Sequence, residues 1–177
     1  MLDNFMVDLE TMGNGPEAAI ISIGVVGMDF ENGELGDEFY AVVDLQSSID
    51  NGGKVDPSTI SWWMMQSEDA RELFKMDGEL LPSTLAKLAL WLKQRSPKPK
   101  IWGHGATFDN VILSSAYKNA GLHRPWSYRE DRCYRTIKAM FPGVPEMEQI
   151  GTVHNALDDA KHQARHLLHL MAIARGE

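Results

Sequence analysis

The chain has 177 residues, 44% hydrophobic and 24% charged, which excludes a disordered or low-complexity polymer and predicts one α/β domain over residues 1–177 with a sizeable core. Lys and Arg number 17 against 25 Asp and Glu, so the formal charge of −8 excludes nucleic-acid binding by bulk electrostatics alone. A lone Cys133 excludes an internal disulfide and no apolar run reaches transmembrane length; with no charged-then-apolar leader at the start, the expected setting is a reducing cytoplasm, with no membrane partner.

The first element, "NFMVDLETMG" (4–13), reads as a strand entering a turn. "AAIISIGVVGMDF" (18–30) is β-branched and apolar, "ENGELG" supplies turn chemistry, and "DEFYAVVDL" (37–45) alternates, so three strands form an antiparallel meander. "DPSTISWWMMQ" (56–66) starts a helix with an acidic cap and Pro57, and "SEDARELFKM" continues in helical style. "PSTLAKLALWLKQR" (82–95) carries a helical apolar stripe at Leu85, Leu88, Ala89 and Leu92, and ends at "SPKPK". "IWG" (101–103) is a short buried strand, followed by a glycine turn and a helix from about Thr107 to Ala120. "REDRCYRTIKAMF" (129–141) reads as helix, and "NALDDAKHQARHLLHLMAIAR" (155–175) as a long final helix capped by Asn155. The sum is α/β with a mixed sheet flanked by helices.

Side chains alternate faces along a strand, so Asp8 and Glu10 point the same way. Roughly 7 Å apart, they repel by on the order of 2 kcal/mol at an effective dielectric of 20, and a cation between them reverses that sign. Asp109 lies in the first turn of the helix after the "IWG" strand, where it either favours the macrodipole or faces the sheet edge. In "HNALDDA", Asp158 stands three residues after Asn155 and fits a capping role; Asp159, one step round the helix, is free to point elsewhere. Hard oxygen donors of this kind select Mg²⁺ or Mn²⁺. His162, His166 and His169 share a helical spacing without a fourth ligand and read as surface residues rather than zinc ligands.

"VDLET" with Asp8 and Glu10, "HGATFDN" with Asp109, and "HNALDDA" with His154 and Asp159 resemble the three motifs of the DEDDh 3'-5' exonucleases. Their order matches, as do the gaps of about 100 and about 50 residues. "STISWWMMQS" and "RCYRTIKAMFP" are similar to a bacterial and phage group of RNase T-like exonucleases, to which exodeoxyribonuclease VIII is related; the implied setting is a bacterial or phage-infected cytoplasm. One position departs: many members have Asn where this chain has Gly105, whereas His104, Phe108 and Asp109 match.

The resemblance implies a ribonuclease H-like fold and a two-metal hydrolysis with Mg²⁺ or Mn²⁺ ions about 4 Å apart. By that analogy Asp8 bridges both ions, Glu10 and Asp159 complete the site of the attacking water, Asp109 supports the second ion, and His154 is the general base. The expected partner is single-stranded nucleic acid with a free 3' end, RNA or DNA, and relatives suggest a homodimer. Substrate contacts are expected from Leu9, Thr11 and Met12 in the turn after the first acids, and from Phe108. Trp62 and Trp63 diverge by about 100° on a helix, leaving one of them available for stacking. Arg135 belongs to a stripe with Arg129, Arg132 and Lys138 that either tracks phosphates or is a solvated helix face. Two other readings compete: a non-catalytic, metal-stabilised nucleic-acid-binding module, and a ribonuclease H-like endonuclease.

Overall fold

The computed structural model describes residues 2–176, so the expected span of 1–177 extends past it by Met1 and Glu177. The apolar opening segments form β1 (Asn4–Thr11), β2 (Ile20–Asp29) and β3 (Glu34–Val42), an antiparallel meander. β4 (Lys100–Gly103) pairs with β1 in parallel and β5 (Asp131–Cys133) pairs with β4 in parallel, giving the order β3-β2-β1-β4-β5. The mixed sheet expected from the sequence is the one observed.

Seven helices among the described residues surround it: α1 (Leu45–Asp50), α2 (Pro57–Met64), α3 (Glu68–Arg71), α4 (Leu81–Arg95), α5 (Asp109–Asn119), α6 (Tyr134–Met140) and α7 (Ala156–Arg175). Odd residues of β1, namely Phe5, Val7 and Leu9, pack with Leu85, Leu88 and Leu92 of α4 and Ile112 and Leu113 of α5. Met6, on the opposite face, packs with Val26, Trp102 and the α7 residues Ala160, Ala164 and Leu167. This alternation explains why β2 is buried almost throughout, since helices cover both faces. Asp8 and Glu10 therefore share the α7 face of the central strand.

Three local readings are corrected. The alternating run to residue 45 stops at Val42, because the Asp44 carboxylate accepts the Ser47 N–H at 2.6 Å and caps α1. Residues 129–141 are not one helix: a 3₁₀ turn (Tyr128–Glu130) leads into β5, and helix begins only at Tyr134. Pairing with β4 overrides the local helical pattern, so Arg129, Arg132, Arg135 and Lys138 are divided among a turn, a strand and a helix. His166 is not on the surface; it is buried, and its Nδ1 lies 2.6 Å from the Tyr134 hydroxyl.

Helix α7 crosses β1, β2 and β3. Its Ala156, Ala160 and Ala164, spaced four residues apart, are fully buried and allow close approach to the sheet. Gly24, opposite Asp8 in β2, completes that approach. A Cβ at Gly24 would lie 2.2 Å from the Ala156 carbonyl and 2.3 Å from the Leu157 nitrogen, both backbone atoms that cannot yield singly. Gly24→Ala is therefore expected to destabilise the fold by about 2–3 kcal/mol, a fall of about 5–10 °C in Tm for a chain of this size, measured by thermal denaturation. No described helix is long and apolar enough to cross a membrane.

Candidate active site

The ladder between β1 and β2 shifts register between Glu10 and Thr11, a bulge that ends regular pairing where the acids stand. Asp109 arrives from a different element. Asn110, beside it, donates to the Ile101 carbonyl and to Asp131 Oδ1, both at 2.9 Å, fastening the first turn of α5 to β4 and β5. Asp159 lies in the first turn of α7, whose entry is capped by Asn155 Oδ1 accepting from Leu157 and Asp158 N–H at 3.1 and 3.2 Å. Asp158 is structural, yet its side chain does not bond Asn155: its carboxylate accepts the Thr152 N–H at 2.9 Å and closes the preceding loop.

The four acids share one electrostatic environment. Burial raises the Asp8 carboxyl well above its ordinary range, and Asp109, Glu10 and Asp159 raise it further, opposed by an amide from Gln163. Burial first, then Asp159 and Asp109, push Glu10 up to about 8. Burial takes Asp109 to about 7, although backbone N–H groups of Asp109, Leu9 and His104 favour its ionised form. Burial also raises Asp159, against hydrogen bonds from Gln149 and the His154 backbone. Added positive charge would favour the ionised form of all four, and their all-oxygen donors fit Mg²⁺ or Mn²⁺.

His154 stands on the loop before α7 with φ of +66°, a left-handed conformation disfavoured for a non-glycine residue. The strain, on the order of 1 kcal/mol, accompanies a specific contact: the His154 N–H donates to Asp159 Oδ2 at 3.0 Å. A carboxylate oxygen of Glu10, one of Asp159 and a ring nitrogen of His154 all lie within 4.8 Å of one another. Residues over 140 positions apart in sequence thus place an imidazole beside two carboxylates.

Next to Glu10 opens a cavity of about 360 Å³ lined by Leu9, Thr11, Asn14, Ser58, Thr59, Trp62 and Phe108. Leu9, Thr11, Trp62 and Phe108 are thereby brought together at the acids. Met12 is not, and Trp63 does not line the cavity, although its ring meets the His154 ring edge-on with centroids 6.2 Å apart. Met12 packs with Ala19, Ile21, Ala70 and Leu73 in a small core that also holds Trp63, and the Trp63 indole N–H donates to the Thr11 carbonyl at 3.0 Å. Both residues pack in this small core, which gives the turn after β1 an apolar seat of its own.

Trp62 diverges as helix geometry requires: it is 38% exposed and meets the His154 ring edge-on, centroids 4.8 Å apart. Trp63→Ala is expected to cost about 3–5 kcal/mol of stability. Trp62→Ala should leave Tm within about 2 °C and weaken substrate binding by about 1–3 kcal/mol, separable by thermal denaturation and KM.

Arg135 sits close by, its Nη2 donating to the His104 carbonyl at 2.8 Å. Gly105, with φ of +115°, takes a backbone that Asn would adopt only under strain, and a Cβ there would lie 3.2 Å from the Arg135 guanidinium. At this position the Arg135 guanidinium packs over the loop. No spacing in the sequence marks Asn14, Ser58, Thr59 or Gln149; Gln163, four residues after Asp159, is open to the helical i, i+4 rule.

A family model described as the 3'-5' exoribonuclease Rv2179c-like domain matches residues 3–171. The exodeoxyribonuclease of Enterobacteria phage T4 is 32% identical over 124 residues, 62% of this chain and 53% of that enzyme, so the match spans about half the length of that relative. Among solved structures, the nuclease domain of 3'hExo, a DEDDh family member bound to rAMP, aligns with a TM-score of 0.65 at 20% identity, over 99% of this chain and 94% of that one. E. coli exonuclease I in complex with a dT13 oligonucleotide aligns with a TM-score of 0.66 at 17% identity, over 93% of this chain and 40% of that one. These likenesses establish the ribonuclease H-like fold of the sheet described above. With the family match extending from the strand that bears Asp8 and Glu10 to the helix that bears Asp159, the chain belongs to the 3'-5' exoribonuclease Rv2179c-like family.

Proposed function

We propose that this protein is a divalent-metal-dependent 3'-5' exonuclease that acts on the 3' end of single-stranded nucleic acid and releases nucleoside 5'-monophosphates. The observation that carries the reading is the meeting of Glu10, Asp159 and His154 within 4.8 Å, beside a cavity that Glu10 itself helps to line. Metal-binding carboxylates alone suit many roles; an imidazole beside them suits proton removal from water.

Asp8, Glu10, Asp109 and Asp159 would hold two ions, Mg²⁺ or Mn²⁺. When bound, such ions supply Lewis-acid activation of water and stabilise charge on the phosphate and the departing 3' oxygen. His154 accepts a proton from the attacking water. The bond from phosphorus to the 3' oxygen breaks, the terminal nucleotide leaves with a 5'-phosphate, and the shortened strand takes up a proton at its new 3' hydroxyl. Leu9 and Phe108 flank the seat of the terminal nucleotide, and Trp62 offers a face for its base. Arg135 adds positive charge on the Asp109 side of the site.

The test uses 5'-labelled single-stranded RNA and DNA of one sequence, incubated with Mg²⁺, Mn²⁺ or chelator. The expected result is a metal-dependent ladder shortening one nucleotide at a time, with the preferred sugar read from the two strands. The family description names a ribonuclease and the phage relative is a deoxyribonuclease, so both substrates are needed. Discrete internal cuts would replace this reading with an endonuclease. Binding without cleavage under either metal would replace it with a non-catalytic module.

A further inference from the structure

Gln163 lies one turn beyond Asp159 on α7, is only 6% exposed, and donates through Nε2 to Asp8 Oδ1 at 2.7 Å. An amide facing an ionised carboxylate has one usable orientation, with its NH₂ towards the acid. That orientation leaves Gln163 Oε1 buried with no hydrogen-bond partner among the described residues. An orphaned buried carbonyl is destabilising, and an apolar side chain of the same size at this position would avoid that. The fold therefore carries a local cost at the point where α7 touches the central acid of β1.

We infer that Gln163 is a positioning residue: its amide occupies Asp8 Oδ1 and fixes the rotation of that carboxylate, so that Oδ2 is the oxygen presented to divalent metal. The inference rests on the catalytic reading above and deepens it. The i, i+4 geometry makes it economical, since a single helix turn delivers Asp159 as a ligand and Gln163 as the clamp on a ligand from another element. Docking of α7 through Gly24 and its alanine stripe then sets both at once. Hydrogen bonds to metal-binding groups of this kind are worth about 10- to 100-fold in metal affinity.

The test is calorimetric titration of the metal-free protein with Mn²⁺, together with thermal denaturation in chelator. Gln163→Met, of similar shape but without a donor, is expected to bind Mn²⁺ about 10- to 100-fold more weakly while its Tm in chelator stays level or rises. Half-maximal exonuclease rate should need correspondingly more Mn²⁺, with turnover largely recovered at saturation. Gln163→Asn keeps the amide but shortens its reach; it is expected to weaken Mn²⁺ binding as well, and it serves as the reporter if the methionine variant does not fold. A folded variant with Mn²⁺ affinity within twofold of wild type overturns the inference and leaves the catalytic reading standing. A wild-type protein that binds no Mn²⁺ overturns both.

Discussion

His154→Ala is expected to slow turnover of single-stranded substrate by about 100- to 10,000-fold while retaining Mn²⁺ binding, as measured by steady-state kinetics beside calorimetric titration. The imidazole lies among Glu10 and Asp159, so its removal takes away a proton acceptor and leaves four carboxylates for metal. The backbone of this residue also matters, because its N–H holds Asp159 Oδ2 from a left-handed conformation. Alanine disfavours that conformation, so a slow alanine variant could reflect a relaxed loop. His154→Asn removes the ambiguity: asparagine tolerates the left-handed region but its amide is no base. Both variants should be comparably slow. An asparagine variant near wild-type turnover would remove His154 from the chemistry and leave it as a loop residue.

Stability without metal supplies the second large effect. Glu10 moves from its ordinary 4.5 to about 8 on folding, and Asp109 from 3.8 to about 7, with Asp8 and Asp159 raised as well. A carboxyl raised by folding binds more protons folded than unfolded. Its protonated form stabilises the native state below the unfolded value, and that contribution is lost as pH rises through the folded value. In chelator, Tm should therefore fall between about pH 4 and pH 8, by about 5–10 °C for a loss of a few kcal/mol. Mn²⁺ or Mg²⁺ at pH 8 should restore it, since binding to the folded state alone stabilises by mass action. Asp8→Asn should raise Tm in chelator at pH 8 and abolish most of the metal-dependent gain. A Tm independent of both pH and metal over this range would mean that the four acids do not act as one cluster.

How much of this was legible beforehand differs from residue to residue. The shared face of Asp8 and Glu10 follows from strand periodicity, and β1 keeps them together on the α7 side. The Asn155 cap predicts where α7 starts, hence that Asp159 is in its first turn. The segment around Arg132 was illegible, because a three-residue strand is created by its neighbour β4 and not by its own composition. Met12 looked like a substrate contact for the same reason in reverse: adjacency to the acids in sequence says nothing about which side of a turn is packed.

The sequence by itself determined the residue types, their order and the local periodicities. From those followed an α/β chain with acids on a strand face and at two helix starts, and the kinship that gave them meaning. Only the tertiary structure decided that these acids meet. Their convergence depends on packing between elements: α7 seated against Gly24 from more than 100 residues away, α5 fastened to β4 and β5 through Asn110, and His154 held in a left-handed turn by Asp159. Local pattern encodes which face a residue takes within its own element. The distance between elements is set by packing, where one absent Cβ at Gly24 decides how near α7 brings Asp159 and Gln163 to Asp8.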